Sequence, residues 1–125
     1  MVYILIKLKC VVSGITQDGF TSFDEKEHLI RFQDKKLTHL FEVGDSIQIS
    51  IENIEQKGKD INDEKYSVIY CLLKNYTSNS IQCVDFENQK KGILWNYRVI
   101  LRAPFFEKQD PWERNSIMKI TIMKL

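Results

Sequence analysis

Two histidines, three cysteines and seventeen carboxylates are the side chains of this 125-residue chain that could carry acid–base, nucleophilic or metal chemistry. His28 and His39 stand eleven positions apart, with no ordered set of further ligands around them, so no metal site is expected. His28 shares strand parity with Ile30 and Phe32, which reads as a rim histidine at a strand start. Cys10, Cys71 and Cys83 form no CxxC pair. Each lies inside an apolar run, where a thiol is a small buried hydrophobe with a raised pKa and little reactivity. None of the serines sits in a GxSxG turn, and the five glycines never cluster as a phosphate cradle requires.

One carboxylate pattern resembles metal-dependent nuclease chemistry, in which an Asp and an acidic-x-Lys triplet hold Mg²⁺ and orient water. Asp45 precedes Glu55-Gln56-Lys57, and Asp24-Glu25-Lys26 and Asp63-Glu64-Lys65 have the same form. Asp45 and Glu55 flank a single strand, however, which holds them about 30 Å apart if it is straight. Helices that such enzymes need are also missing from the pattern. The chain is therefore expected to be no enzyme and to need no cofactor.

The elements that would position any site are legible from alternation. Val2, Ile4, Ile6, Leu8, Cys10 and Val12 occupy the even positions of a period-2 strand, with Lys7 and Lys9 between them. Gly14 allows a bend or bulge, and Asp18-Gly19 signals a hairpin. His28–Phe32 forms a second run, ending at a polar turn, and Leu37–Phe41 could make one helical turn. Ile47, Ile49 and Ile51 point inward from the cleanest strand, against Ser46, Gln48, Ser50 and Glu52. Residues 56–65 form a charged loop, and 66–73 are apolar on both faces, as in a central strand. Strands over 81–86 and 93–102, a turn over 87–92, and a closing strand over 116–125 complete the chain. The expectation is one all-β domain, a meander-rich barrel or sandwich of seven or eight strands with at most one short helical turn. Pairing of strands 2–12 and 117–125 would close a barrel and remove its exposed edges.

The stretch LRAPFFEKQDPWERN, residues 101–115, fits neither period. It holds both prolines, Pro104 and Pro111, which exclude strand and helix interior. Phe105, Phe106 and Trp112 then either plug one end of the barrel or are displayed beside Arg114. Trp with Arg is hot-spot chemistry for docking on another protein. Two adjacent phenylalanines cannot both face inward from an extended chain, so at least one needs a kink or faces solvent. On this basis the chain is expected to be a protein-binding module, in the manner of an inhibitor or immunity-type protein. The alternative is an OB-like single-strand nucleic-acid binder using Tyr97, Arg98, Arg102, Lys90 and Lys91 as stacking platform and basic groove, with Arg98 and Arg102 on one strand face.

Totals bound these readings. Net charge is +1, so no global field advertises a polyanion or a membrane. Residues 1–62 carry 8 basic and 10 acidic side chains and residues 63–125 carry 10 and 7, a weak hint of a basic face. No apolar run approaches the about 20 residues of a membrane helix. The N-terminal apolar run lacks a basic leader region and is interrupted by Lys7 and Lys9. With an odd number of cysteines, this implies a reducing, cytoplasmic compartment. Sixteen Ile, fourteen Lys and seven Asn against four Arg suggest an A/T-rich bacterial or phage genome.

Overall fold

The computed structural model describes residues 3–34, 41–93, 96–104 and 113–125. Among them are nine strands: β1 (Leu5–Thr16), β2 (Gly19–Asp24), β3 (Leu29–Asp34), β4 (Ser46–Ile54), β5 (Ile61–Asn62), β6 (Tyr66–Thr77), β7 (Ser80–Val84), β8 (Val99–Arg102) and β9 (Ile117–Lys124). One short helix, α1 (Phe86–Lys90), follows β7. Eight of the strands close into an antiparallel barrel in the order β1-β4-β9-β6-β7-β8-β3-β2, returning to β1, and β5 pairs with the start of β6 on the edge that β7 takes up farther along.

Alternation builds the interior. Ile6, Leu8, Cys10 and Val12 of β1 and Ile47, Ile49 and Ile51 of β4 are all buried. They meet Ile120 and Ile122 of β9, Ile30 and Phe32 of β3, and Leu73 and Leu101 from β6 and β8. Side chains fill the barrel as a packed core rather than lining a pore. Phe20 stacks on Phe32 with centroids 5.4 Å apart and meets the edge of Phe41 at 5.7 Å.

Closure differs from the expected pairing. β1 and β9 are not neighbours, because β4 lies between them and pairs with both along most of its length. The ring shuts where Tyr66–Leu72 of β6 pairs with β9. Gly14 does mark a register shift against β2. The first hairpin turns at Gln17-Asp18, so Gly19 begins β2, facing Thr16. Its glycine serves close approach rather than the turn: a Cβ there would stand 1.9 Å from the Phe32 carbonyl oxygen.

Three further expectations change. The charged loop 56–65 contains β5, whose Ile61 and Asn62 face Val68 and Ser67. The expected turn at 87–92 is mostly the helix α1, while the possible helical turn at 37–41 lies outside the described residues except for buried Phe41. Of the strand expected over 93–102, the described residues are strand only at Val99–Arg102.

Candidate docking face

Arg98, just ahead of β8, is only 8% exposed. Along one edge of β6, β5 pairs as far as Val68 and β7 resumes at Leu72, leaving the main chain of Tyr70 unpaired by either strand. Side chains fill this gap. The Asp60 carboxylate accepts from the Tyr70 N–H at 3.0 Å, and Arg98 Nη1 donates to the Tyr70 carbonyl at 3.3 Å. Arg98 Nη2 pairs with Asp60, and Nε lies 3.5 Å from Asp34 and from Asp85 without hydrogen-bonding either. Burial alone would lower the Arg98 pKa, but the Asp60 bond and the charges of Asp34, Asp60 and Asp85 outweigh it and raise it. The guanidinium is thus committed to the fold.

The alternation expected to aim Arg98 and Arg102 at one groove therefore fails at Arg98. Three carboxylates and an open ladder position draw it inward. Arg102 is exposed, Tyr97 is half-buried, and Lys90 and Lys91 are exposed on and just after α1. Arg98 is thus withdrawn from any surface the other four could share. Phe105, Phe106 and Trp112 lie outside the described residues. Arg114 is exposed, with its guanidinium carbon 5.2 Å from the centroid of Tyr76, a ring packed on the core. The described ends of 101–115 are both tied to the β6–β7 hairpin: Ala103 N–H donates to the Asn79 carbonyl, and Asn115 N–H to that of Leu73.

A surface that alternation alone does not announce appears on the outside of β1–β2–β3. Val11 stands directly opposite Phe23, and Phe23 directly opposite Leu29. Residues facing one another across antiparallel strands share a face. All three point outward, 48%, 44% and 38% exposed. Leu125, 64% exposed, extends the row beyond Val11, tied to β4 through its N–H to Ser46 and lining one shallow cleft with Val11 and Phe23. At the other end, Leu29 and Pro104 line an open depression of about 510 Å³. Single exposed apolar residues are ordinary on a protein surface, but a cross-strand row is not.

Charge borders this row on two sides. Glu25 and Glu27 lie in the β2–β3 turn beside Phe23 and Leu29. Asp24, the last residue of β2, accepts from the Lys26 N–H at 2.9 Å and the His28 N–H at 2.8 Å, and contacts His28 Nδ1 at 2.9 Å. On the opposite side, Arg31 and Arg102 face each other directly across β3 and β8. Sequence reading missed Val11, Phe23, Leu29 and Arg31 as a surface. For Val11, Phe23 and Leu29 the only signal was an apolar residue at the polar phase of its strand.

The cysteines are buried free thiols. Burial pushes Cys10 up to about 11 and Cys71, beside Cys83, well above the ordinary range. Among the described residues, no three His, Cys, Asp or Glu side chains converge as metal ligands, and no helix is long and apolar enough to cross a membrane. No family model matches the chain, and no curated protein matches it.

Proposed function

We propose that the chain is a non-enzymatic protein-binding module, of the inhibitor or immunity type, that docks through the outer face of β1–β2–β3 and the adjoining segment 101–115. One observation carries this reading: Val11, Phe23 and Leu29 form an exposed apolar row in direct register, and the row leads to Pro104 at the threshold of the aromatic stretch. Burying such a row removes apolar area from water, and Phe105, Phe106 and Trp112, which follow Pro104 in sequence, would add aromatic anchors. Arg114, in the described end of the same segment, lies over the Tyr76 ring.

The test is capture from source-cell lysate by the wild type, Phe23→Ser and Trp112→Ala, each with and without nuclease. One protein recovered in near-equal amount by the wild type, and lost with Phe23→Ser or Trp112→Ala, supports docking. Equal recovery by all three refutes it. Recovery that disappears with nuclease replaces this reading with nucleic-acid binding.

A further inference from the structure

The chain has four arginines, and two are absorbed by its own structure: Arg98 by three carboxylates, Arg114 by the Tyr76 ring. The remaining two, Arg31 and Arg102, stand directly opposite one another on adjacent strands, both exposed. Neither forms an ion pair with another described residue. Like charges placed directly across a ladder are unfavourable unless something anionic lies between them. Their Cβ atoms are about 5 Å apart in such a pair, so two planar guanidiniums can converge on one carboxylate. Leu29, two positions before Arg31 on the same face, places the apolar row about 7 Å away.

Resting on the docking reading above, we infer that the partner is a protein that seats an Asp or Glu side chain between Arg31 and Arg102, flanked by apolar residues that cover Phe23 and Leu29. The surroundings select a single carboxylate over a polyanion. A nucleic-acid strand occupies about four or more nucleotides on such a surface. From two arginines it would run over the apolar row to a turn where Glu25 and Glu27 outnumber Lys26, with Lys9 beside Val11, so it meets no continuous run of cations to follow. Glu27 lines the same depression as Arg31 and Arg102, so a second anion beside the first is repelled. Apolar contact fixes the position, and the arginine pair fixes the orientation and rejects partners lacking the acid.

The experiment is selection of random twelve-residue peptides, displayed on phage, against the folded wild-type protein. Enriched peptides are then synthesised and their affinities measured by fluorescence anisotropy at low and high salt. The expected consensus carries one Asp or Glu at fixed spacing from two or more large apolar residues. Replacing that acid by its amide weakens binding about tenfold or more, as does Arg31→Ala or Arg102→Ala. Binding lost in Arg31→Glu is regained by a peptide with Lys at the acidic position. Thermal unfolding of each variant confirms that it is folded. Peptides without a required acid that bind Arg31→Ala unchanged, yet fail on Phe23→Ser, overturn the carboxylate inference and leave the docking face standing. Failure to select any peptide whose binding depends on Phe23 overturns both. Competition by an oligothymidine strand in place of acidic peptides, or self-association of the wild type that Phe23→Ser abolishes, identifies a different occupant and also overturns the inference.

Discussion

Arg98 donates from its guanidinium to the main-chain carbonyl of Tyr70, twenty-eight positions away, at 3.3 Å. A side chain here performs the work of a missing strand. The same guanidinium neutralises Asp34, whose side chain is 1% exposed, and pairs with Asp60, whose carboxylate receives the Tyr70 N–H.

Removing this group should therefore cost more than an ordinary surface arginine. Arg98→Ala leaves the Asp34 carboxylate buried and the Tyr70 carbonyl without its donor, for an expected loss of about 3 kcal/mol or more. Arg98→Lys should recover only part of it, since an ammonium cannot reproduce the planar fork. Urea unfolding measures both, and a loss below about 1 kcal/mol for Arg98→Ala would remove Arg98 from the structural role.

Gly19 and Gly14 make a contrasting pair. A Cβ at Gly19 meets the Phe32 carbonyl at 1.9 Å, and main chain in a ladder cannot step aside. A Cβ at Gly14 meets only the Thr21 hydroxyl, at 2.9 Å, which can rotate away. Gly19→Ala should cost at least the about 1–3 kcal/mol of overpacking, and Gly14→Ala clearly less. Equal midpoints in denaturant for the two variants would contradict the packing of β2 on β3.

Alkaline pH should weaken the fold through its buried thiols. Burial raises Cys10 to about 11 and moves Cys71 in the same direction. An unfolded thiol titrates near about 8.5. The folded state then holds protons that the unfolded state releases, so stability is complete below about pH 8.5 and falls as pH rises through 11. Denaturant unfolding under reducing conditions from pH 7 to 10.5 should show this decline, with a shallower slope in Cys10→Ala. A flat profile, or rapid labelling of native Cys10 by a thiol reagent at pH 8, would contradict the burial.

At the acid end, Asp24 contributes with the opposite sign. Its partial burial would raise the pKa, but hydrogen bonds from the His28 main chain and ring and from the Lys26 N–H outweigh this and hold it below the ordinary carboxylate value. The stability it supplies is present above about pH 4, the unfolded value, and is lost as pH falls through the lower folded one. Asp24→Asn should be less stable at neutral pH and should lose less than the wild type on acidification. Parallel acid limbs for the two proteins would show that the carboxylate does not titrate in this way.

Much of the barrel was legible before any coordinates. Ile47, Ile49 and Ile51 at period two, and Ile6 to Val12 on even positions, identify inward faces because a pleated strand can bury only alternate residues; Val2 lies outside the described residues. The three cysteines among apolar neighbours declare themselves core in the same way. The exposed apolar row was not legible, because Val11, Phe23 and Leu29 are apolar residues scattered on three strands until register brings them side by side. Arg31 and Arg102, seventy-one positions apart, become a pair only through β3–β8 pairing.

What the sequence determined by itself is a set of local preferences: most of the strands, and the apolar face that each turns inward. Strand alternation and turn chemistry act over a few residues, so a few residues suffice to read them. Tertiary structure decided which strands are neighbours, that β4 rather than β1 meets β9, and that Arg98 turns inward while Arg102 stays at the surface. Those choices depend on the summed packing of eight strands and on where three aspartates from distant segments converge on one guanidinium. No short stretch of sequence contains that sum.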